Sequence, residues 1–241
     1  KITITGDDVK HIKNVLRGVP GDVLILSDGN GTDYEAEIEA IEKDRVIAGI
    51  IHTMENHTEP PVNVTLFQGI PKSDKMDYIV QKCVELGVNR IIPVITERTV
   101  VRFKGREDAV SKTSRWSRIA LEAAKQCDRG KIPVVGAPIS FDEVLSLPDI
   151  FGLKLFPYEE EAEGSLNRHL EQHRIKLCSR NNGQLCNNNN TQGLQDIAVL
   201  IGPEGGFTAD EANKAVESGF KSVTLGPRIL RSDTAGVAVA A

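Results

Sequence analysis

The sequence predicts an α/β fold, a mostly parallel sheet covered by helices on both faces, preceded by a small β-rich domain. Three observations carry this. From Val62 onward, short apolar runs alternate with amphipathic segments, the pattern of strands joined by crossover helices. Before that point VLILSD, DYEAEIEAI and RVIAGIIHT follow one another with turn signals such as DGNG between them, the pattern of consecutive short strands. Between the two lies ENHTEPP, whose polar residues and paired prolines read as a linker, so the expected domains are residues 1–58 and 62–241.

In chain order, DDVKHIKNVLR reads as one amphipathic helix ahead of the three strands. In the larger domain VNVTLFQGI is a strand before the helical DKMDYIVQKCVELGV, and RIIPVIT is a strand before the helical DAVSKTSRWSRIALEAAKQC. FGLKLFPYE, DIAVLIG and KSVTLG supply the later strands. The Asn-rich SRNNGQLCNNNNTQG, at about 179–193, holds too little apolar area to offset its ordering entropy and is expected to be a flexible insertion.

With 241 residues, 40% of them apolar and 26% charged, the chain can bury a core for one large or two modest domains. No apolar run approaches the roughly 18–20 residues that span a bilayer. The opening KITITGDDVK lacks a signal peptide's apolar centre, so the expected compartment is the cytoplasm, with no membrane partner. Cys83, Cys127, Cys178 and Cys186 show no C-x-x-C pairing and read as reduced structural thiols. The histidines form no H-E-x-x-H pattern, and His169 with His173 reads as a solvated helix face, so no metal is expected. A net charge of −5 argues against a nucleic-acid coat, yet residues 98–131 alone are net +6. Such a block is the footprint expected where a protein meets a phosphate backbone, and it is equally the look of a solvated, basic helix face.

Two strand ends in the last third carry the most chemistry. LIGPEGGFTADE, residues 200–211, is an apolar strand, a Gly-rich turn and a helix start in which Thr208 and Glu211 have capping-box spacing. VTLGP, residues 223–227, repeats the strand and Gly-Pro break. In open parallel sheets ligands bind beyond the carboxyl ends of the strands, where both loops fall. Neither loop is a phosphate cradle: no Lys-Ser/Thr follows, G-x-G-x-x-G is absent, and Glu204 would repel phosphates. A nucleoside with a cationic centre, S-adenosylmethionine, escapes that objection, because backbone N–H and C=O groups can frame its adenine while acid tolerates its sulfonium. On spacing alone, plain tight turns fit as well. Beyond the second loop, Arg231 can hold a phosphate or stabilise charge on a base, whereas Ser232 and Asp233 also read as helix caps. Lys72 and Lys75 stand just before and at a helix start, where lysine is electrostatically disfavoured, and suggest a loop facing a polyanion, although solvated loop lysines fit as well.

HIKNVLR, FQGIPKSDKMDYIVQKCVELGV, VITERTVV, RWSRIALEAAKQCDR, LIGPEGGFTADE and LGPRILRSDTA, in this order from about residue 5 to 235, resemble the RsmE family of 16S rRNA uridine N3-methyltransferases, members of the SPOUT superfamily. The resemblance implies an N-terminal PUA-like β-barrel for RNA, a SPOUT-type parallel sheet whose chain end forms a trefoil knot, and a homodimer. It implies S-adenosylmethionine as methyl donor, held by Leu200, Gly202, Glu204, Gly205, Gly206, Leu225, Gly226 and Leu230, with Phe156 and Pro157 on the other wall. It implies methyl transfer to N3 of uridine 1498, in standard numbering, of 16S rRNA in the small ribosomal subunit. N3 must lose its proton for that, and Arg231 is the expected partner of the uracil anion, with Asp233 or solvent receiving the proton. Arg17, Lys72, Lys75, Arg98 and Arg129 are the expected RNA contacts. The family commonly has Glu where Asp233 stands, and the Asn-rich insertion has no family counterpart. The alternative is a non-catalytic RNA-binding module in which the Gly-Pro loops are only turns. A nucleotide-dependent enzyme is disfavoured by the missing phosphate-loop lysine.

Overall fold

The computed structural model describes residues 1–180 and 196–241, so the Asn-rich stretch lies outside the described residues from 181 on. The chain forms two compact units: Lys1–Glu59 with Asp128–Ile132, and Pro60–Cys127 with Pro133–Ala241.

The first unit contains β1 (Ile2–Thr5), helix α1 (Asp7–Lys10), and strands β2 (Val23–Ser27), β3 (Thr32–Ile41) and β4 (Arg45–Glu55). The strands pair antiparallel in the order β1-β4-β3-β2. β1 and β2 are edges that do not pair with each other among the described residues, so the expected barrel is an open sheet here. β1 is an addition to the expected strands, although Ile2 and Ile4 alternate with threonines at strand period. The expected single helix is split: after α1 the chain widens into a π turn, His11–Val15, where Leu16 N–H reaches back to the His11 carbonyl at 3.0 Å. Val9 and Ile12, three apart, still share one face and pack on Ile38 and Val46.

Residues 128–132 complete this unit. Gly130 O accepts from Gly31 N–H at 2.8 Å, Asp128 O from the Thr58 hydroxyl at 2.9 Å, and Lys131 N–H donates to Glu59 at 3.1 Å. Arg129 closes the arrangement. Its Nε and Nη2 reach the two Glu59 carboxylate oxygens at 3.1 and 2.7 Å, and the side chains are only 4% and 12% exposed. Arg129, expected at the RNA surface, is therefore an interior group whose charge is already neutralised.

The second unit is built on β5 (Asn63–Gly69), α2 (Lys75–Glu85), β6 (Arg90–Ile95), α3 (Arg106–Gln126), the short β7 (Val134–Val135) and β8 (Ile139–Ser140), α4 (Phe141–Leu145), β9 (Leu153–Pro157), α5 (Leu166–Arg180), β10 (Asp196–Ile201), α6 (Ala209–Glu217), β11 (Lys221–Val223) and α7 (Ser232–Ala240). The sheet runs β11-β9-β10-β5-β6-β7, with every pairing parallel. Its inner strands are apolar on both faces because both are covered. Leu66, Ile91, Leu155 and Val199 face Met76, Ile79, Val80, Trp116 and Ala120 of α2 and α3. Phe67, Val94, Phe156 and Leu200 face Phe141, Ala212 and Ala215 of α4 and α6. Both short helices start with capping boxes, Ser140 with Glu143 and Thr208 with Glu211. His173, expected on a solvated face, is buried. Burial pushes the Cys83 thiol up to about 12, which keeps it protonated and inert. Among the described residues no helix is long and apolar enough to cross a membrane.

Burial alone would raise the Glu59 carboxyl, but the Arg129 hydrogen bond and charge outweigh it and hold the group below the ordinary glutamate range. The stability this pairing adds is therefore present above that range and fades as pH falls through the lowered value. Arg129→Ala, which strands a buried carboxylate, is expected to cost about 3 kcal/mol at neutral pH. Its deficit should shrink on acidification through the ordinary glutamate range, as the stranded carboxyl protonates, and go on shrinking below roughly pH 4, where the wild-type group protonates too. Urea denaturation of wild type and variant across that range measures both, with exposed Lys131→Ala as a control expected to stay within about 0.5 kcal/mol.

Candidate active site

β9, β10 and β11 are adjacent and parallel, so the chain leaves all three at the same edge of the sheet. The loops that follow, with the first turn of α7, enclose a cavity of about 850 Å³. They are bonded to one another: Tyr158 N–H donates to the Val223 carbonyl at 3.1 Å and Thr224 N–H to the Gly164 carbonyl at 2.7 Å.

The loop after β10 forms the floor. Pro203 O accepts from Gly206 N–H at 3.0 Å, closing a turn that holds Gly206 at φ +64°. A Cβ there would stand 2.8 Å from the Glu159 carboxylate, so glycine serves both the conformation and the close approach. Glu204, the acid at the tip, is directed away from phosphate chemistry by its partners. Its carboxylate accepts the Lys72 backbone N–H at 3.0 and 3.2 Å and pairs with Lys75 Nζ at 2.9 Å. Partial burial would raise the Glu204 carboxyl, but the Lys75 hydrogen bond and the backbone donors win, and it lies below the ordinary range. On the other side Arg98 donates to the Gly205 carbonyl at 2.7 Å. Glu211 adds a further tie, accepting the Glu97 N–H at 2.9 Å while it caps α6.

Of the expected cofactor residues, Gly202, Glu204, Gly206, Leu225, Gly226, Leu230 and Pro157 line the cavity. Leu200 and Phe156 do not: strand alternation turns both into the core, where Phe156 packs on Phe207 at 4.8 Å. Gly205 lies against Arg98 instead. Arg231 is exposed on the cavity wall as the residue that opens α7. Asp233, the expected carboxylate, is not in the wall. It sits in the first turn of α7, where acid suits the helix N-terminus, with its Oδ1 buried and without a hydrogen-bond partner among the described residues. Lys72 and Arg98 are exposed beside the floor loop, Lys75 is held by Glu204, and Arg17 is exposed in the first unit. Tyr158, Glu159, Glu161 and Arg228 also line the cavity and lie outside the expected set. The rule that points to strand ends applies to FPYEEEAEG as much as to the Gly-Pro loops, and would have found the first three.

Residues 58–241 match an RNA methyltransferase domain and residues 4–51 an RNA methyltransferase PUA domain. The ribosomal RNA small subunit methyltransferase E of Bacillus subtilis (strain 168) is 34% identical over 233 residues, covering 97% of this chain and 85% of the relative. This chain belongs to the ribosomal RNA small subunit methyltransferase E family. Another family member, from Aquifex aeolicus (strain VF5), is 31% identical over 233 residues, covering 96% of this chain and 89% of its own. The crystal structure of a ribosomal RNA small subunit methyltransferase E from Neisseria gonorrhoeae bound to S-adenosyl methionine matches with a TM-score of 0.79 at 35% identity, over 99% of this chain and 89% of that one. Among the described residues no group of three His, Cys, Asp or Glu could hold a metal ion.

For this family member Glu204→Gln is expected to cost about 0.5–1 kcal/mol at neutral pH, the partly exposed setting of the pair limiting its worth. Because the lowered Glu204 carboxyl stabilises above the ordinary range and ceases to as it protonates, the deficit should close as pH falls below roughly 4. Thermal melts of both proteins over that range read it directly.

Proposed function

We propose that this chain transfers a methyl group from S-adenosylmethionine to N3 of a uridine, uridine 1498 in standard numbering, in the 16S rRNA of the small ribosomal subunit. The observation that carries the reading is the cavity, whose backbone floor is lined in addition by the acids Glu159 and Glu161 and by Arg231. Its volume of about 850 Å³ is within the range of small-molecule sites. Glu159 and Glu161 in the wall oppose a polyphosphate and tolerate a cation. Family membership and the ligand of the Neisseria gonorrhoeae relative support the same donor.

S-adenosylmethionine, when bound, supplies an electron-poor methyl group on a sulfonium. The residues that would hold it are Gly202, Gly206, Leu225, Gly226, Leu230 and Pro157. Glu204 contributes by fastening the floor to Lys72 and Lys75. Arg231 places a permanent charge where a uracil anion needs a partner once N3 gives up its proton. Solvent receives that proton, since Asp233 is outside the wall. Lys72, Arg98 and Arg17 are exposed cations suited to phosphates, whereas Arg129 is buried against Glu59 and the partly exposed Lys75 at the cavity is paired with Glu204. The reading includes cytoplasmic location, a homodimer and a C-terminal trefoil knot. In support of the knot, the chain leaves edge strand β11 and returns to pack α7 on β5 and β10, with Ser232 bonded to the Gly202 carbonyl at 2.6 Å.

Arg231→Ala is expected to lower methyl transfer about 100- to 1000-fold while S-adenosylmethionine affinity stays within about threefold. Full transfer by the variant overturns the role of Arg231, and no heat of S-adenosylmethionine binding to the wild type overturns the enzyme in favour of an RNA-binding module. Lys72→Ala with Arg98→Ala should weaken RNA binding and reduce the slope of log affinity against log salt by about one for each phosphate left without its cation. An unchanged slope in filter binding removes both residues from the RNA surface.

A further inference from the structure

Gln68 is fully buried in the central strand β5, far in sequence from every residue of the cavity's Arg231 wall. A buried amide costs stability unless it is bonded, and an apolar side chain of its size would pack there without that cost. Its bonds are made by Nε2 alone, while its Oε1 is buried without a hydrogen-bond partner among the described residues. Gln68 Nε2 donates to the Ser232 hydroxyl at 3.0 Å and to the Gly69 carbonyl at 3.0 Å. The Ser232 hydroxyl gives its only proton to the Gly202 carbonyl at 2.6 Å, which leaves it an acceptor toward Gln68. The amide cannot be reversed, since that would set its oxygen against the Gly69 carbonyl oxygen. The relay therefore has a fixed direction, from β5 through α7 to the cavity floor.

We propose that Gln68 is a positioning residue for Arg231, acting through Ser232. The inference rests on the methyl-transfer reading above. Ser232 is the first residue of α7 and Arg231 is the residue that opens the helix, its carbonyl accepting Thr234 and Ala235 N–H at 2.9 and 2.7 Å. Anchoring the Ser232 side chain fixes the peptide that carries Arg231 relative to Gly202, the backbone that lines the floor. Gly236, one turn further, lets the helix approach: a Cβ there would lie 2.8 Å from Gln68 Oε1. Side-chain guanidinium placement is otherwise left to an exposed residue with a long, rotatable stem, so the register of its backbone decides where the charge falls.

The test uses the full chain with small ribosomal subunits that lack the methyl group. Gln68→Met removes the donors at similar volume, and Ser232→Ala removes the relay's centre. Each is expected to lower single-turnover methyl transfer about 10- to 100-fold, as a misplacement of about 1 Å does, with S-adenosylmethionine affinity by calorimetry changed less than about threefold. The double variant should lose no more than the more impaired of the two single variants, because both break one relay. Ser232→Thr, which keeps the hydroxyl, should restore transfer. Hydrogen exchange at residues 232–235 should quicken about tenfold in Gln68→Met and Ser232→Ala, and this needs no turnover. Multiplying losses in the double variant, or unchanged exchange, overturns the relay. A wild type that methylates nothing overturns the methyl-transfer reading, and the exchange result still decides whether Gln68 holds the helix start.

Discussion

The parallel pairing of β10 with β5 is the interaction on which the site depends. Leu200 lies beside Phe67 and Ile201 beside Gln68, so both strands run out at one edge and their following loops meet. Everything that makes the floor loop specific follows from this meeting: Glu204 finds Lys72 and Lys75, and Gly202 lies within reach of the hydroxyl that Gln68 anchors. The pairing is secure because it is dry. Side chains on both faces of the two strands are buried under helices, so no competing water weakens the ladder.

Much of this was legible in order and little of it in detail. The alternation of apolar runs and amphipathic helices from Val62 on was enough for the parallel sheet, because period two and period 3.6 are written into the residues themselves. The capping box at Thr208 was readable for the same reason, being an interaction three residues long. β7, β8 and α4 escaped because two-residue strands and a single helical turn carry almost no periodicity, although Ser140 and Glu143 had the spacing of a box. At the site, glycines and Arg231 could be named from their loops. What could not be read was which way a side chain points. Leu200 and Phe156 stand one residue from cavity-lining Ile201 and Pro157, and alternation sends them into the core.

Charge shows the same limit from the other side. The basic block at 98–131 is a fact of composition, yet its members have separate fates. Arg115 is taken up by Asp77, Arg129 by Glu59 and Lys112 by Asp108, while Arg98 reaches the Gly205 carbonyl and keeps its exposure. Net charge counts residues, but a phosphate meets only the cations that have not already been neutralised within the fold. Glu204 is the complement: an acid that looked out of place becomes intelligible as the counter-ion of Lys75 and the acceptor of the Lys72 backbone N–H.

The five residues Asp128–Ile132 give the first unit an unusual birth order. A ribosome has to add another 73 or so residues after Glu59 before Ile132 exists, about 4–15 s at ordinary elongation speed. During that interval the Glu59 carboxylate has no arginine and the 29–31 turn lacks its bridge from Asn30 to Lys131. The amino-terminal module is thus not finished first, as a simple bead on a string would be. It waits for β5, α2, β6 and α3 to be synthesised, and a chain stalled or cut in that window carries a module that never closed.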